Sequence, residues 1–234
     1  MKIGLLTDPH YSSAELTCGR RYNSRSLEKI KKAFAHFAAE NCEMVIMLGD
    51  ETDREPTHEQ EADNLCKIAE VIEYHGIETI CLMGNHDAAV LETEHFYDCV
   101  GQQHRPRLIT RGGVNLLFLD ACYLHTGEHY SPRIFCDWTD TFNPHTEQLR
   151  ETLAALTGNT YVFMHQNIDP NVRADHRLSN DEEIRRILEE SGKVRAVYQG
   201  HYHPGCRSEH HGICYITLPA MCENEDAFET AELL

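Results

Sequence analysis

Short apolar runs alternate with amphipathic stretches along the first third of the chain. Lys2 to Thr7 and Met44 to Leu48 are brief apolar segments, and Ile77 to Met83 is a third; each predicts a strand buried on both faces. Between them, Ser24 to Glu40 and Thr57 to Tyr74 carry apolar residues at helical spacing. The alternation predicts a βαβαβ unit, and therefore a parallel sheet flanked by helices.

The second half of the chain has a different pattern of predicted elements, with hairpins as well as helices. A Gly112-Gly113 pair predicts a hairpin turn, and a second turn is predicted near Gly212. Residues 121–142 follow no regular pattern, and a loop of this length is usually functional. We expect one domain over residues 1–234, with 121–142 as an irregular rim loop. The later predicted elements are strands at Arg107 to Thr110, Val114 to Asp120, Tyr161 to Met164, Val194 to Gln199 and Ala227 to Leu233, helices at Pro144 to Leu156 and Asp181 to Glu190, and a hairpin from Cys206 to Leu218.

Composition narrows the classes of partner. Hydrophobic residues make up 41% of the 234, as in globular proteins, and no apolar run approaches the ~20 residues that span a bilayer. The first residues lack the features of a signal peptide, so we expect a cytoplasmic location in which the ten cysteines stay reduced. A net charge of −17 without basic clusters argues against a nucleic-acid polymer and favours a small substrate. The oligomeric state is left open.

Side chains that bind metals follow five of the predicted strands. The carboxyl edge of an open α/β sheet is where ligands bind, so side chains distant in the sequence are expected to meet there. Each short motif alone is more often a turn than a site, but their ordered recurrence after strands predicts a shared site. The residues are Asp8 and His10, Asp50, Asn85 and His86, His165, and His201 with His203.

The donor atoms of this set are carboxylate and amide oxygens and imidazole nitrogens. Such mixed sites suit Mn, Fe, Zn, Co or Ni better than metals that prefer thiolates. Seven ligands are too many for one ion and suit two, which at ~3.5–4 Å apart can share a bridging carboxylate and clamp a phosphoryl oxygen. The sequence therefore predicts two transition-metal ions, with Mn, Fe or Zn favoured.

Five motifs together resemble those of the calcineurin-like metallophosphoesterase family: Asp8-Pro-His10, Gly49-Asp-Glu-Thr-Asp-Arg54, Gly84-Asn-His-Asp87, His165 and Gly200-His-Tyr-His203. The resemblance implies an α/β fold, a four-layer αββα sandwich of two mixed β-sheets flanked by helices. It also implies the division of the ligands. One metal would be bound by Asp8, His10 and His203, the other by Asn85, His165 and His201, and Asp50 would bridge both.

The same resemblance implies roles for residues that bind no metal. His86 would protonate the leaving-group oxygen or stabilise the transferring phosphoryl group, Asp53 would orient its imidazole, and a metal-bridging hydroxide would be the nucleophile. A positioned imidazolium is worth ~10²–10⁴-fold in rate. Arg54 is predicted to contact a substrate phosphate, with an ion pair to Glu51 or Glu55 as the alternative.

The reaction class leaves the substrate open. We expect a metal-dependent phosphoric ester hydrolase acting on a small phosphodiester or nucleotide-type substrate, because residues 212–228 loosely resemble the branch that hydrolyses cyclic nucleotides, ADP-ribose and CDP-alcohols. The alternatives are a phosphomonoesterase and a metal-binding scaffold of the same fold without turnover.

Four further residues near the expected site have open roles. Asp87 is expected to cap a helix or to support a neighbouring histidine. Aromatic residues in 121–142 could stack on a nucleobase, but packing over the sheet edge is the expectation for Phe135 and Trp138. Tyr202 is expected to be structural, because it alternates with two proposed ligands.

Overall fold

The computed structural model describes residues 1–103, 105, 107–134 and 137–234, and these form two mixed β-sheets with helices on both outer faces. The first sheet has the strand order β10-β1-β2-β3, in which β1, β2 and β3 are parallel and β10 is antiparallel to β1. Its strands are β1 (Lys2–Leu6), β2 (Met44–Met47), β3 (Thr79–Cys81) and β10 (Phe228–Glu232).

The second sheet has the strand order β4-β5-β6-β7-β9-β8. Its four central strands are parallel, and the antiparallel edge strands β4 and β8 each come from a hairpin. Its strands are β4 (Leu108–Arg111), β5 (Val114–Phe118), β6 (Asn159–Phe163), β7 (Val194–Gln199), β8 (Cys206–His210) and β9 (Ile213–Thr217).

Helices cover the outer face of each sheet, so the predicted αββα sandwich is confirmed. Residues of the first four helices line the core outside the first sheet, and the last two helices cover the second. The short third and fourth helices were not predicted. The helices are α1 (Ser26–Ala39), α2 (His58–His75), α3 (Asn85–Val90), α4 (Thr93–Cys99), α5 (Thr146–Ala155) and α6 (Asp181–Ser191).

Successive side chains along a strand point to opposite faces of the sheet, so each strand contributes to two core layers. In β1, Ile3 and Leu5 enter the core between the two sheets, whereas Leu6 enters the core beneath the outer helices. The absence of a side chain at Gly4 allows Phe37 of α1 to pack against the strand, because a Cβ atom at Gly4 would lie 2.6 Å from the phenyl ring. Both faces of the strand are buried, which accounts for the unbroken apolar run in the sequence.

The helices agree with the sequence observation that no apolar run is long enough to span a bilayer. Across the part of the chain that the structure describes, none of them combines the length and the apolar character needed to cross a bilayer.

Candidate metal centre

The loops after β1, β2 and β7 meet at one edge of the sandwich, and their backbones are unusual. Asp8, His10, Asp50 and His201 have φ angles of 51°, 46°, 54° and 65°, in the left-handed region that non-glycine residues rarely adopt. Backbone hydrogen bonds hold the first two loops together: Asp8 donates to Gly49 (3.0 Å) and His10 donates to Asp50 (3.0 Å). Such conformations cost ~1–3 kcal/mol each and concentrate at functional sites.

One cluster at this edge joins the ends of β1 and β7. His10 Nε2 lies 3.6 Å from Asp8 Oδ1 and 3.2 Å from His203 Nε2, and His203 Nε2 lies 3.4 Å from Asp8 Oδ1. All three side chains are buried. Cys222 also lies within reach of both imidazoles, and burial raises the pKa of its thiol, which disfavours the thiolate form that binds metals.

A second cluster joins the ends of β2 and β6 to the start of α3. His165 Nε2 lies 3.2 Å from Asn85 Oδ1 and 3.2 Å from Asp50 Oδ2, and donor atoms of Asp50, His165 and His201 lie within 4.8 Å of one another. The same Asp50 Oδ2 lies 3.6 Å from His10 Nε2 in the first cluster. Asp50 therefore stands between the two groups, as the resemblance implied for a bridging carboxylate.

The donor set fits two transition-metal ions. Among the described residues, Asp8 Oδ1 and His201 Nε2 are buried without a hydrogen-bond partner, which is costly unless a cation satisfies them. Burial lowers the pKa of His10 to about 4, and burial with neighbouring His165 lowers the pKa of His201 to about 3. Both imidazoles are thus neutral at neutral pH, the form that coordinates metal.

The pKa values of Asp8 and His165, in contrast, are shifted toward the charged form of each side chain. Burial alone would raise the pKa of Asp8, but the nearby imidazoles of His10 and His203 hold it well below its ordinary value. Burial would likewise lower the pKa of His165, but the negative charge of Asp50 raises it to about 9. A bound cation would replace that histidine proton, so metal binding at this site is expected to release protons.

Outer groups orient the donors, and the sequence analysis did not identify them. His203 Nδ1 lies 2.6 Å from Glu223 Oε1, and His165 Nδ1 lies 2.9 Å from the carbonyl oxygen of Leu48. Thr7 Oγ1 donates to Asp8 Oδ2 at 2.6 Å. Such partners fix the ring orientation and the nitrogen that faces the metal. No local motif marks Glu223, because it contacts His203 only through the loop that follows β9.

His86 stands beside the two clusters with its ring partly open to solvent. Its Nδ1 lies 3.2 Å from Asp53 Oδ1, and its backbone N–H donates to Asp50 Oδ1 at 2.8 Å. Asp53 is itself held by Asn23 Nδ2 (3.0 Å) and faces Arg21 at 3.5 Å. Burial would lower the pKa of His86, but the two carboxylates outweigh it and raise that pKa above its ordinary value. The two carboxylates therefore favour the protonated form of His86.

Asp87 holds the loop that carries Asp50 rather than contacting a histidine. Its buried carboxylate accepts the backbone N–H groups of Glu51 (3.0 Å), Thr52 (3.1 Å) and Gly84 (2.9 Å). The last of these caps the start of α3, so the capping expectation describes part of its role. Glu51 is buried beside it, and burial with the Asp87 carboxyl raises the pKa of Glu51 well above its ordinary value.

Two adjoining cavities open over the site, and Asn85, His86 and Trp138 line both of them. The larger has a volume of about 400 Å³ and the smaller about 310 Å³. The larger is lined by Arg20, Arg21, Asp50, Asn85, His86, Trp138, Arg173, Asp175, His176, His201, Tyr202, His203 and Pro204. The smaller is lined by Asp53, Arg54, Asn85, His86, Ala89, Val90, Tyr130 and Trp138.

These cavities add to the expectations for three residues. Trp138 packs against His176 and against His201 just beyond β7, but it is 42% exposed and lines both cavities, and Tyr202 lines the larger cavity. Phe135 lies outside the described residues. Arg54 is exposed in the smaller cavity and forms no ion pair with Glu51 or Glu55 among the described side chains. The sequence signal for the rim was the aromatic content of 121–142, and the packing expected for Trp138 describes only part of its position.

The sandwich and the paired carboxylate and imidazole clusters are those of a metal-dependent phosphoester hydrolase. A model of the calcineurin-like phosphoesterases matches residues 1–205, and the chain belongs to this family, whose members bind two divalent metal ions. A search of curated proteins found no relative of this chain.

Solved structures support the fold. A dimetal phosphatase from Danio rerio superposes with a TM-score of 0.83 at 18% identity, covering 99% of this chain and 92% of that one. A phosphopantetheinyl hydrolase from Mycobacterium tuberculosis superposes with a TM-score of 0.57 at 11% identity, covering 98% and 95%. At these identities the likeness shows the architecture, and the substrate has to be inferred from the site.

Proposed function

We propose that this protein hydrolyses a small phosphodiester with two bound transition-metal ions, of which Mn, Fe and Zn suit the donors best. The observation that carries the proposal is the position of His86 at the junction of two cavities, next to both ligand clusters. A phosphodiester has two substituents, and a crevice divided at the catalytic histidine accommodates one on each side. A monoester would use only one of these cavities.

The proposed metal ligands are those named by the family resemblance. Asp8, His10 and His203 would hold one ion, Asn85, His165 and His201 the other, and Asp50 both. When bound, the ions would polarise the phosphoryl oxygens and lower the pKa of water so that a hydroxide nucleophile is available at neutral pH.

His86 acts on the leaving group in this proposal. Because Nδ1 faces Asp53, Nε2 is the ring nitrogen left to donate a proton to the departing oxygen. The Asp53 carboxylate orients the ring and keeps it protonated, in the way a carboxylate orients a catalytic histidine elsewhere. The same pair borders the smaller cavity, so the leaving group is assigned to that cavity. Arg54, on its wall, is assigned to an oxygen of the substrate phosphate.

The first experiment measures metal content and turnover together. Purified protein should contain close to two transition-metal ions by elemental analysis and should hydrolyse bis-p-nitrophenyl phosphate in Mn²⁺ faster than p-nitrophenyl phosphate. A faster monoester reaction would make the protein a phosphomonoesterase. Metal-loaded protein that is inert toward both esters, and toward cyclic nucleotides, ADP-ribose and CDP-choline, would leave the scaffold alternative.

The second experiment separates the acid from the ligands. His86→Ala should retain both metals and lose about 10²–10⁴-fold in kcat, because the leaving alkoxide no longer receives a proton. Unchanged turnover would remove His86 from this role.

Location in the cytoplasm is part of the same proposal, since the nine described cysteines are free thiols and a reducing compartment keeps them so.

A further inference from the structure

The larger cavity has an aromatic wall made of Trp138, His176 and Tyr202. The indole of Trp138 meets the His176 ring at 5.0 Å and 66°, and Tyr202 meets the same ring at 5.2 Å and 84°. His176 is fixed in turn, since its Nδ1 lies 2.9 Å from Asp175 Oδ1. The three rings come from separate segments of the chain, and two of them, Trp138 and His176, also contact the ring of the proposed ligand His201.

Packing against His176 and His201 accounts for only part of the surface of Trp138. Tyr130, from the same rim loop, is only 1% exposed, and its hydroxyl oxygen lies within hydrogen-bond distance of the carbonyl oxygens of Asp137 (2.6 Å) and Asp140 (2.7 Å). Trp138 is 42% exposed and lines both cavities. A large indole held against a fixed ring, with much of its surface open to a crevice, is typical of a ligand contact.

Charge on the same cavity fits a substrate that is both anionic and planar. Arg20 and Arg21 line the cavity with Trp138, although the protein as a whole has a net charge of −17. Arg20 lies 3.0 Å from Glu223 and Arg21 lies 3.5 Å from Asp53, so both guanidinium groups are positioned beside the site. Guanidinium groups attract a phosphate, and an indole face attracts an aromatic ring.

We propose that Trp138 is a specificity-determining residue that stacks on the non-leaving substituent of the phosphodiester, and that this substituent is a planar aromatic group such as an aryl ester or a nucleoside. The inference rests on the proposed function, which assigns the leaving group to the smaller cavity beside Asp53 and His86. The other substituent then enters the larger cavity, against the wall of Trp138 and His176.

The test varies only the non-leaving substituent. Methyl, phenyl and thymidine 5′ esters of p-nitrophenyl phosphate all release p-nitrophenol, so one absorbance assay compares them with the leaving group constant. The wild-type protein loaded with Mn²⁺ should favour the phenyl and thymidine esters over the methyl ester by about 10-fold to 100-fold in kcat/KM, which is the range of aromatic stacking on a base. Trp138→Ala should abolish this preference through KM, and Trp138→Phe should retain most of it.

Tyr74→Ala is the matched control, because Tyr74 is an 86% exposed aromatic residue on α2, outside both cavities. It should leave all three esters unaffected. If the wild-type protein hydrolyses diesters without an aromatic preference, or if Trp138→Ala slows the methyl and phenyl esters equally, the subsite is wrong while the proposed function stands. Trp138→Phe supplies the comparison if the alanine variant does not fold.

A binding measurement separates the subsite from turnover. Trp138 is the only tryptophan in the chain, so its emission reports directly on this wall. In Zn²⁺-loaded protein, phenylphosphonate should change that emission and bind about 10-fold or more tightly than methylphosphonate. Aryl-selective binding without hydrolysis of any ester would retain the subsite and overturn the proposed function. Equal binding of the two phosphonates would overturn the subsite.

Discussion

Asp87→Ala should be strongly destabilising, although Asp87 contacts no proposed metal ligand through its side chain. Its buried carboxylate accepts three backbone N–H groups, those of Glu51, Thr52 and Gly84. Alanine leaves these donors without an acceptor, and because Glu51, Thr52 and Gly84 are buried, solvent does not replace it freely. The loop they hold is the one that presents Asp50.

The magnitude follows from the three donors. A buried donor that loses its partner costs about 1–3 kcal/mol, and part of that is recovered if water enters the gap. Burial and the charge of Asp50 also raise the pKa of Asp87 to about 7, so removing the carboxyl relieves some electrostatic strain. We therefore expect a net loss of about 3–5 kcal/mol in the free energy of unfolding, a large part of the ~5–15 kcal/mol typical of a domain.

Urea unfolding of the metal-free protein measures this loss without a contribution from metal binding. Asp98→Ala is the matched control, since Asp98 is exposed on α4 and should change stability by no more than about 0.5 kcal/mol. Asp87→Asn keeps one acceptor oxygen, so its free energy of unfolding should lie between those of the two variants. An Asp87→Ala protein as stable as Asp98→Ala would refute the assignment of these hydrogen bonds as the support of the Asp50 loop.

Three other variants test the surroundings of the metals. Asp50→Asn should weaken the binding of both ions, measured by elemental analysis after dialysis, and full occupancy would contradict a bridging role. Glu223→Ala should weaken metal binding by about 10–100-fold in competition with a chelator, because His203 Nδ1 loses its partner at 2.6 Å; unchanged affinity would show that Glu223 does not orient the ring. Glu51→Gln should flatten the pH dependence of stability. The pKa of Glu51 is raised by burial, so the folded state keeps a proton that the unfolded state releases above its ordinary pKa of 4.5, and wild-type stability should fall as the pH rises from there. A wild-type protein whose unfolding midpoint rises over that pH range would contradict this sign.

Much of the fold and of the proposed ligand set could be predicted from local patterns. β1 and β2 are buried on both faces, which their unbroken apolar runs indicated, and α2 ends at Gly76 in left-handed backbone as helices commonly do. The proposed ligands follow these strands, so the carboxyl edge of the sheet was the expected meeting point. The structure brings them together there, in two clusters joined by Asp50.

Short elements and long-range partners could not be predicted in the same way. Helix α3 has only six residues, and its first turn is held by Asp87 bonding across to the loop after β2. Local propensity is too weak to specify a helix of that length, and tertiary contacts decide it. The contact between Glu223 and His203 could not be predicted either, because the two residues lie 20 positions apart in the chain and tertiary contacts bring them together.

The sequence by itself determined the order of the strands and of the four longer helices, the proposed donor residues and the edge of the sheet at which they lie. Those properties are local, because side-chain periodicity and residue type follow from neighbouring positions along the chain. Only the tertiary structure decided that Trp138 is partly exposed to a crevice, that His86 lines two cavities, and that Asp50 stands between both clusters. Exposure and distance depend on which segments fold against each other, and no local pattern contains that information.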